Sequence, residues 1–380
     1  MVSKRYWETS TASPTAGGRS VTPQTSNFGF VGVASADGVA LVPGFIERPG
    51  SEARVCGDFV VEVAGGECGF PRDVKKRIAA SIAAAMTHPV AVFHRFDMGV
   101  GSITIPMAAQ SWNLPETFVF EGQSVRYGVL GTGKPLVMIH GTPFSSVVWR
   151  RIAPHLATRR QVFYFDLLGY GRSEMRAGQD VSLAIQNRVF AALLDHWRIV
   201  EPDVVAHDFG GCTALRTRLL DQRRYRTLTL IDPVAISPWG SPFVQHVREH
   251  EAAFSGLPPY IHNAILPAYI GGAAFRPLSA EDMALYTQPW AGEVGQGAFY
   301  RQIAQMDRRY TDEIEPLLGD LRCPVNILWG EEDRWIPLER GRELAARIPG
   351  ASLRVVPNAG HLVQEDAPEA VVASLLGWLD

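Results

Sequence analysis

Val204-Val205-Ala206-His207-Asp208-Phe209-Gly210-Gly211 is the stretch on which the reading of this chain turns. Its first residues are apolar and β-branched, as a buried strand prefers. Small residues then flank a single carboxylate, with Ala206 two positions before Asp208 and Gly210 two positions after it. That is the form of a strained strand-to-helix elbow that displays one nucleophile, with aspartate where serine is commoner. A carboxylate held there attacks carbon and forms an ester. Aspartate also narrows the substrate: displacement at a saturated carbon bearing a leaving group makes chemical sense, whereas attack on an ester gives a labile anhydride. The competing reading is an acidic N-cap on an ordinary helix, so the elbow needs partners elsewhere in the chain.

An elbow of this kind is followed in chain order by an acid and then a histidine. Asp333 lies after an apolar strand in Gly330-Glu331-Glu332-Asp333-Arg334-Trp335-Ile336-Pro337, where Glu331 and Glu332 are rival acids. His361 follows the last strand in Asn358-Ala359-Gly360-His361. Oxyanion donors are expected from the backbone N–H after the nucleophile, Phe209, and from the loop after the first parallel strand, Thr142 in His140-Gly141-Thr142-Pro143. His140 itself reads as structural. The glycine turn Asp166-Leu167-Leu168-Gly169-Tyr170-Gly171-Arg172-Ser173 lacks the Lys-Ser/Thr ending of a phosphate loop.

Around these motifs the pattern is regular from Thr117 onward. A hairpin over 117–120 and 124–130 precedes strands at 136–140, 161–166, 204–208, 227–231, 325–329 and 353–356, with helices between them at 183–197 and 343–348. Near-continuous apolar strands alternating with helices predict a mostly parallel sheet covered on both faces. The alternation stops between Ile231 and Cys323, where helical, tyrosine-rich sequence takes over. An insertion there is expected to cap the carboxyl ends of the strands, where open α/β sheets bind ligands.

The 380 residues leave room for more than this one unit. Met1 to about Pro49 is rich in Ser, Thr, Gly and Pro and is read as disordered. Residues 73–86 predict a helix, and initiation at Met107 is an alternative account of everything upstream. The expected division is therefore an extension over 1–110, a core over 115–235 and 316–380, and a cap over 236–315. A net charge of −3 offers no basic field for nucleic acid or anionic membrane. Four cysteines point to a reducing, cytoplasmic setting, and no zinc site is read around Cys56 and Cys68. No run of about 18 apolar residues suggests a membrane span.

HGTP (140–143), DLLGYGRSE (166–174), AHDFGG (206–211), GEEDRWIP (330–337) and NAGH (358–361) together resemble the α/β-hydrolases of the aspartate-nucleophile branch, which holds epoxide hydrolases and haloalkane dehalogenases. The resemblance covers 117–380. It implies Asp208 as nucleophile, His361 oriented by Asp333 as base for water, and no cofactor or metal, acting on a small apolar electrophile. Haloalkane dehalogenases hold halide with side-chain N–H donors, commonly Asn in the position of Thr142 and Trp in that of Phe209. Here the cap residues Trp239 or Trp290 would have to serve. Epoxide hydrolases use cap tyrosines to protonate the ring oxygen, and Ala298-Phe299-Tyr300-Arg301-Gln302 is similar to the family motif that carries one, which makes Tyr300 the expected donor. A second tyrosine is missing from the matching cap helix; His246, Tyr260 and Tyr269 are the candidate substitutes. The reading leans to epoxides, with haloalkanes next and a ligand-binding protein without turnover as the alternative outside catalysis.

Overall fold

The computed structural model describes residues 112–379 in full and, before them, the backbone of four strands at 29–35, 38–44, 91–97 and 102–108. The chain divides into two units, Met1–Ser111 and Trp112–Asp380. In the first, β1 (Gly29–Ser35) pairs antiparallel with β2 (Gly38–Gly44), and β3 (Ala91–Asp97) with β4 (Ser102–Ala108). The strands β1 and β2 fall in the stretch expected to be disordered. Val31, Val33, Val39 and Val42 give that segment the β-branched content its overall composition hides. Met107 sits within β4, opposite Val92. The helix expected over 73–86 lies outside the described residues.

The second unit is built on an eight-stranded sheet. Its strands are β5 (Glu116–Phe120), β6 (Gln123–Leu130), β7 (Lys134–Ile139), β8 (Arg160–Phe165), β9 (Asp203–His207), β10 (Thr227–Ile231), β11 (Val325–Gly330) and β12 (Ser352–Val356). They lie in the order β12-β11-β10-β9-β7-β8-β6-β5. The pairs from β8 through β7, β9, β10 and β11 to β12 are parallel, and the β5–β6 hairpin closes the edge antiparallel. The two-residue period of a strand sends neighbours to opposite faces. Val137, Ile139, Val204, Ala206, Leu228 and Leu230 enter one core, while Leu136, Met138, Val205 and Ile231 enter the other. This is why the strands read as unbroken apolar runs.

Helices α1 (Ala153–Leu156), α2 (Leu183–Trp197) and α3 (Phe209–Leu219) connect the central strands. After β10 come α4 (Pro242–Glu249), α5 (Glu251–Ser255), α6 (Pro259–Gly271), α7 (Ala280–Thr287) and α8 (Gly292–Ala304), the helices of the insertion between β10 and β11 that stands at the position expected of a cap. The chain returns through α9 (Arg309–Asp312) to β11, α10 (Leu338–Arg347), β12, α11 (Val363–Asp366) and α12 (Pro368–Trp378). Helix α2 matches its expected span, whereas α10 begins five residues earlier than the expected Glu343, directly after Pro337, whose fixed φ suits a helix entry. The cap and core are tied by Arg150, which meets Asp282 and Tyr286 of α7 and Glu365 of α11.

Candidate active site

The elbow is strained where it was expected to be. Asp208, between β9 and α3, has φ 49° and ψ −116°, a conformation that costs a non-glycine residue about 1–3 kcal/mol. The surroundings hold it there: its N–H donates to Ile231 O at 3.1 Å, and its carbonyl accepts from Gly211, Cys212 and Val234 N–H. Helix α3 starts so close to β7 that a Cβ on Gly210 would lie 2.5 Å from Ile139 O. Gly141 is equally confined, since a Cβ there would lie 2.4 Å from Asp208 Oδ2. These two glycines let the loop after β7 and the turn after β9 touch.

The contact orders the carboxylate. Thr142 N–H donates to Asp208 Oδ2 at 2.6 Å. The other oxygen, Oδ1, is 3.6 Å from His361 Nε2, and His361 Nδ1 is 2.8 Å from Asp333 Oδ2. Asp333 Oδ1 accepts from Trp335 N–H at 2.7 Å and Ile336 N–H at 2.9 Å, which leaves Nδ1–H as the natural partner of its second oxygen. Glu331 and Glu332 are exposed, so of the three acids in the turn Asp333 alone faces inward. The loop bearing His361 is fixed on both sides, because Gly360 N–H donates to Asp366 and Leu362 N–H to Ala273 O of the cap.

Electrostatics follow from this enclosure. Burial alone would lower the His361 pKa, but the carboxylates of Asp333 and Asp208 on either side raise it well above the ordinary imidazole value. His207 is the opposite case: burial, reinforced by the positive charge of His361, pulls it down to about 3. Its Nε2–H is spent on His361 O at 2.9 Å. His140 accepts Leu167 N–H on Nε2 and burial lowers its pKa, so it is a neutral brace between two loops. Asp232, at the end of β10, was not singled out in the sequence. Its Oδ1 accepts Gly330 N–H at 2.9 Å, its Oδ2 has no partner, and burial together with Asp333 pushes its carboxyl pKa well above the usual range.

A small pocket, whose empty space with the open solvent at its mouth comes to about 370 Å³, lies over Asp208. Thr142, Phe209, Val234, Trp239, Tyr269 and Trp335 are among the residues that line it. Tyr269 stacks on Trp335 with ring centres 4.7 Å apart. Burial, and then the Asp208 charge, raise its pKa above the ordinary phenol value, which keeps its proton in place. Trp239 packs edge-on against Phe209, while its indole N–H is bound to Thr311 Oγ1 at 2.9 Å.

Several expected site residues are elsewhere. Tyr300 is fully buried in the cap and does not line the cavity. His262 donates Nε2–H to Trp290 O, which leaves Nδ1 to accept the Tyr300 hydroxyl at 3.0 Å, and burial pushes Tyr300 up to about 12. Trp290 donates its indole N–H to Pro143 O at 2.8 Å and bounds the loop from behind. Tyr260 is 73% exposed and His246 is exposed, both outside the cavity lining. The fold thus brings Tyr269 and Trp239 to the cavity over Asp208 and leaves Tyr300, Trp290, Tyr260 and His246 out of its lining.

With this geometry established, comparison with known proteins places the chain in the alpha/beta hydrolase family, whose model matches residues 136–374. An alpha/beta hydrolase fold protein from Burkholderia ambifaria, known as a crystal structure, is 57% identical; the match covers 70% of this chain and 98% of that one, with TM-score 0.69. Haloalkane dehalogenase 2 of Mycobacterium tuberculosis is 27% identical over 69% of this chain and 96% of its own length. The epoxide hydrolase CorEH shares the fold at 22% identity, covering 69% of this chain and 96% of that one, with TM-score 0.55.

Proposed function

We propose that this chain is a hydrolase that opens an epoxide through an ester on Asp208. The observation that carries the reading is the disposition of the two Asp208 oxygens, one held by Thr142 N–H at 2.6 Å and the other facing His361. Oδ1 attacks the less hindered ring carbon, the C–O bond breaks, and the ring oxygen takes the proton of the Tyr269 hydroxyl. The His361 imidazolium then returns a proton to the Tyr269 oxygen and becomes neutral. That transfer is favoured at this point because esterification has removed the Asp208 charge, one of the influences that raise the His361 pKa. Neutral His361 takes a proton from water, and the hydroxide adds to Asp208 Cγ. The oxyanion develops on Oδ2, against the N–H groups of Thr142 and Phe209. On collapse the Cγ–Oδ1 bond breaks, His361 gives its proton to the departing oxygen and takes the one on the added hydroxyl, and release of the diol restores both the Asp208 carboxylate and the His361 imidazolium, so protons and charge balance over the cycle.

A tyrosine donor suits an alkoxide leaving group, and the indole N–H groups of Trp239 and Trp290 are already engaged. Similarity to haloalkane dehalogenase 2 supports halide displacement as the second reading. The test is His361→Gln, which stops the cycle at the ester. After addition of an epoxide, mass spectrometry is expected to find the epoxide's mass added to the peptide containing Asp208. An adduct from haloalkanes alone selects the second reading, and no adduct from either panel refutes the aspartate mechanism.

A further inference from the structure

His246, expected to face substrate, instead ends α4 on the outside of the cap, and the sequence around it is His246-Val247-Arg248-Glu249-His250. Two histidines four residues apart lie on the same side of a helix, one turn from each other. In the H-x-x-E-H pattern this spacing serves to hold zinc between two imidazoles. The fold preserves the spacing even though α4 ends at Glu249, because His250 N–H still donates to His246 O at 3.1 Å. The two rings meet with centroids 4.8 Å apart. One ligand atom each from His246, Glu249 and His250 lies within 4.8 Å of the others, and all three side chains are exposed. Among the described residues Glu249 has no ion-pair partner, whereas the neighbouring Arg248 turns to Asp307 at 3.8 Å.

We propose that His246, Glu249 and His250 form a binding site for a divalent late-transition ion, Zn²⁺ first. Zinc bonds of about 2.0–2.2 Å set tetrahedral donors roughly 3.4 Å apart. The side chains therefore close by about 1.4 Å at most, through torsions that solvent leaves free. Two imidazoles and a carboxylate suit zinc, nickel and copper and are a poor set for magnesium or calcium, which want oxygen alone. Water fills the remaining position. The ion would join the last turn of α4 to His250, the residue from which α5 starts, and so fix the corner between them. The proposal concerns binding alone, because all three ligands are exposed side chains.

The experiment is titration of the full chain with zinc chloride by calorimetry, alongside His246→Ala, His250→Gln and the double variant. The expected result is one saturable equivalent assigned to this site, weakened at least tenfold in each single variant and lost in the double. His250→Gln guards against misfolding, since the His246 ring also packs on Phe254 at 5.5 Å, and circular dichroism confirms that each variant is folded. No saturable binding by the parent chain, or the same affinity in the folded double variant, overturns the proposal.

Discussion

The Thr142 hydroxyl donates to Gln302 Oε1, joining the loop beneath the Asp208 carboxylate to helix α8 of the cap. Tyr170 OH donates to the same oxygen at 3.2 Å, and the Gln302 side-chain nitrogen has no partner. One amide oxygen thus collects two hydroxyl protons and fixes the rotamer of the residue whose backbone N–H holds Oδ2. Replacing Gln302 by Leu leaves both hydroxyls without their acceptor and frees the loop. We expect kcat to fall about tenfold to a hundredfold, which corresponds to roughly 1.4–2.7 kcal/mol of transition-state stabilisation, with KM changed far less. Steady-state kinetics decide it, and a change confined to KM removes Gln302 from any role beneath the oxyanion loop.

Tyr269 and Tyr300 are separated by a pair of conservative variants. Tyr269→Phe is expected to slow ester formation from epoxides by about a hundredfold or more, the usual scale of a positioned general acid, and to spare displacement of halide. Tyr300→Phe removes a hydroxyl whose one hydrogen bond among the described residues is to His262, so it is expected to cost about 1 kcal/mol of stability and leave ester formation unchanged. Rapid-quench measurement of the adduct distinguishes them; equal slowing in both variants contradicts the placement of the donor.

His207 gives stability a definite pH dependence. Its pKa is near 3 in the fold and about 6.5 in the unfolded chain. Below pH 6.5 the unfolded chain therefore takes up a proton that the folded one refuses, and stability is lost as pH falls from 6.5 towards 3. The slope from one such group is up to about 1.4 kcal/mol per pH unit, and the buried His140 adds in the same sense. Urea unfolding at a series of pH values is expected to show this decline, and His207→Gln to flatten it. Asp232, whose carboxyl pKa is raised in the fold, works in the opposite sense between about pH 4 and 6.5, so the readout is the difference between the two proteins, and identical slopes for parent and His207→Gln rule the assignment out.

Asp208→Gly exchanges function for stability. On the proposed mechanism it is expected to abolish turnover, and it relieves a backbone strain of about 1–3 kcal/mol, offset by roughly 0.5–1 kcal/mol for the extra freedom of glycine in the unfolded chain. The net expectation is a higher thermal midpoint than the parent in calorimetry. A lower midpoint means that the elbow is not strained in the way its φ of 49° indicates.

The strand-and-turn skeleton of the site was legible because it rests on short-range rules. The apolar runs gave β7, β9, β10 and β11, and the elbow, the Asp333 turn and the His361 loop each follow a strand end. What lay beyond reach was set by tertiary packing. Tyr300 and Tyr269 are both tyrosines on cap helices, and which one faces Asp208 depends on His262, 38 residues from Tyr300, accepting its proton. Asp232 carries no sequence signal apart from its place after a strand, and its raised pKa arises from burial beside Asp333. The H-x-x-E-H run at 246–250 is legible by its spacing, but a histidine on a helix of the insertion fits a pocket residue equally well in sequence, and only the fold turns His246 outward. The hairpin of β1 and β2 was masked by averaging composition over a long stretch.

The hold of Thr142 N–H on one carboxylate oxygen makes the two oxygens of Asp208 chemically unequal over the life of the enzyme. On the proposed reaction, Oδ1 leaves with the first product and an oxygen from water takes its place, while Oδ2 stays in its cradle unless the carboxylate turns over. In heavy-oxygen water the first molecule of diol made by each enzyme carries no label and every later one carries it. Asp208 itself gains a single heavy atom and stops there. On that reaction the protein spends one of its own atoms per cycle and renews it from solvent, and the 2.6 Å hydrogen bond would decide which atom that is.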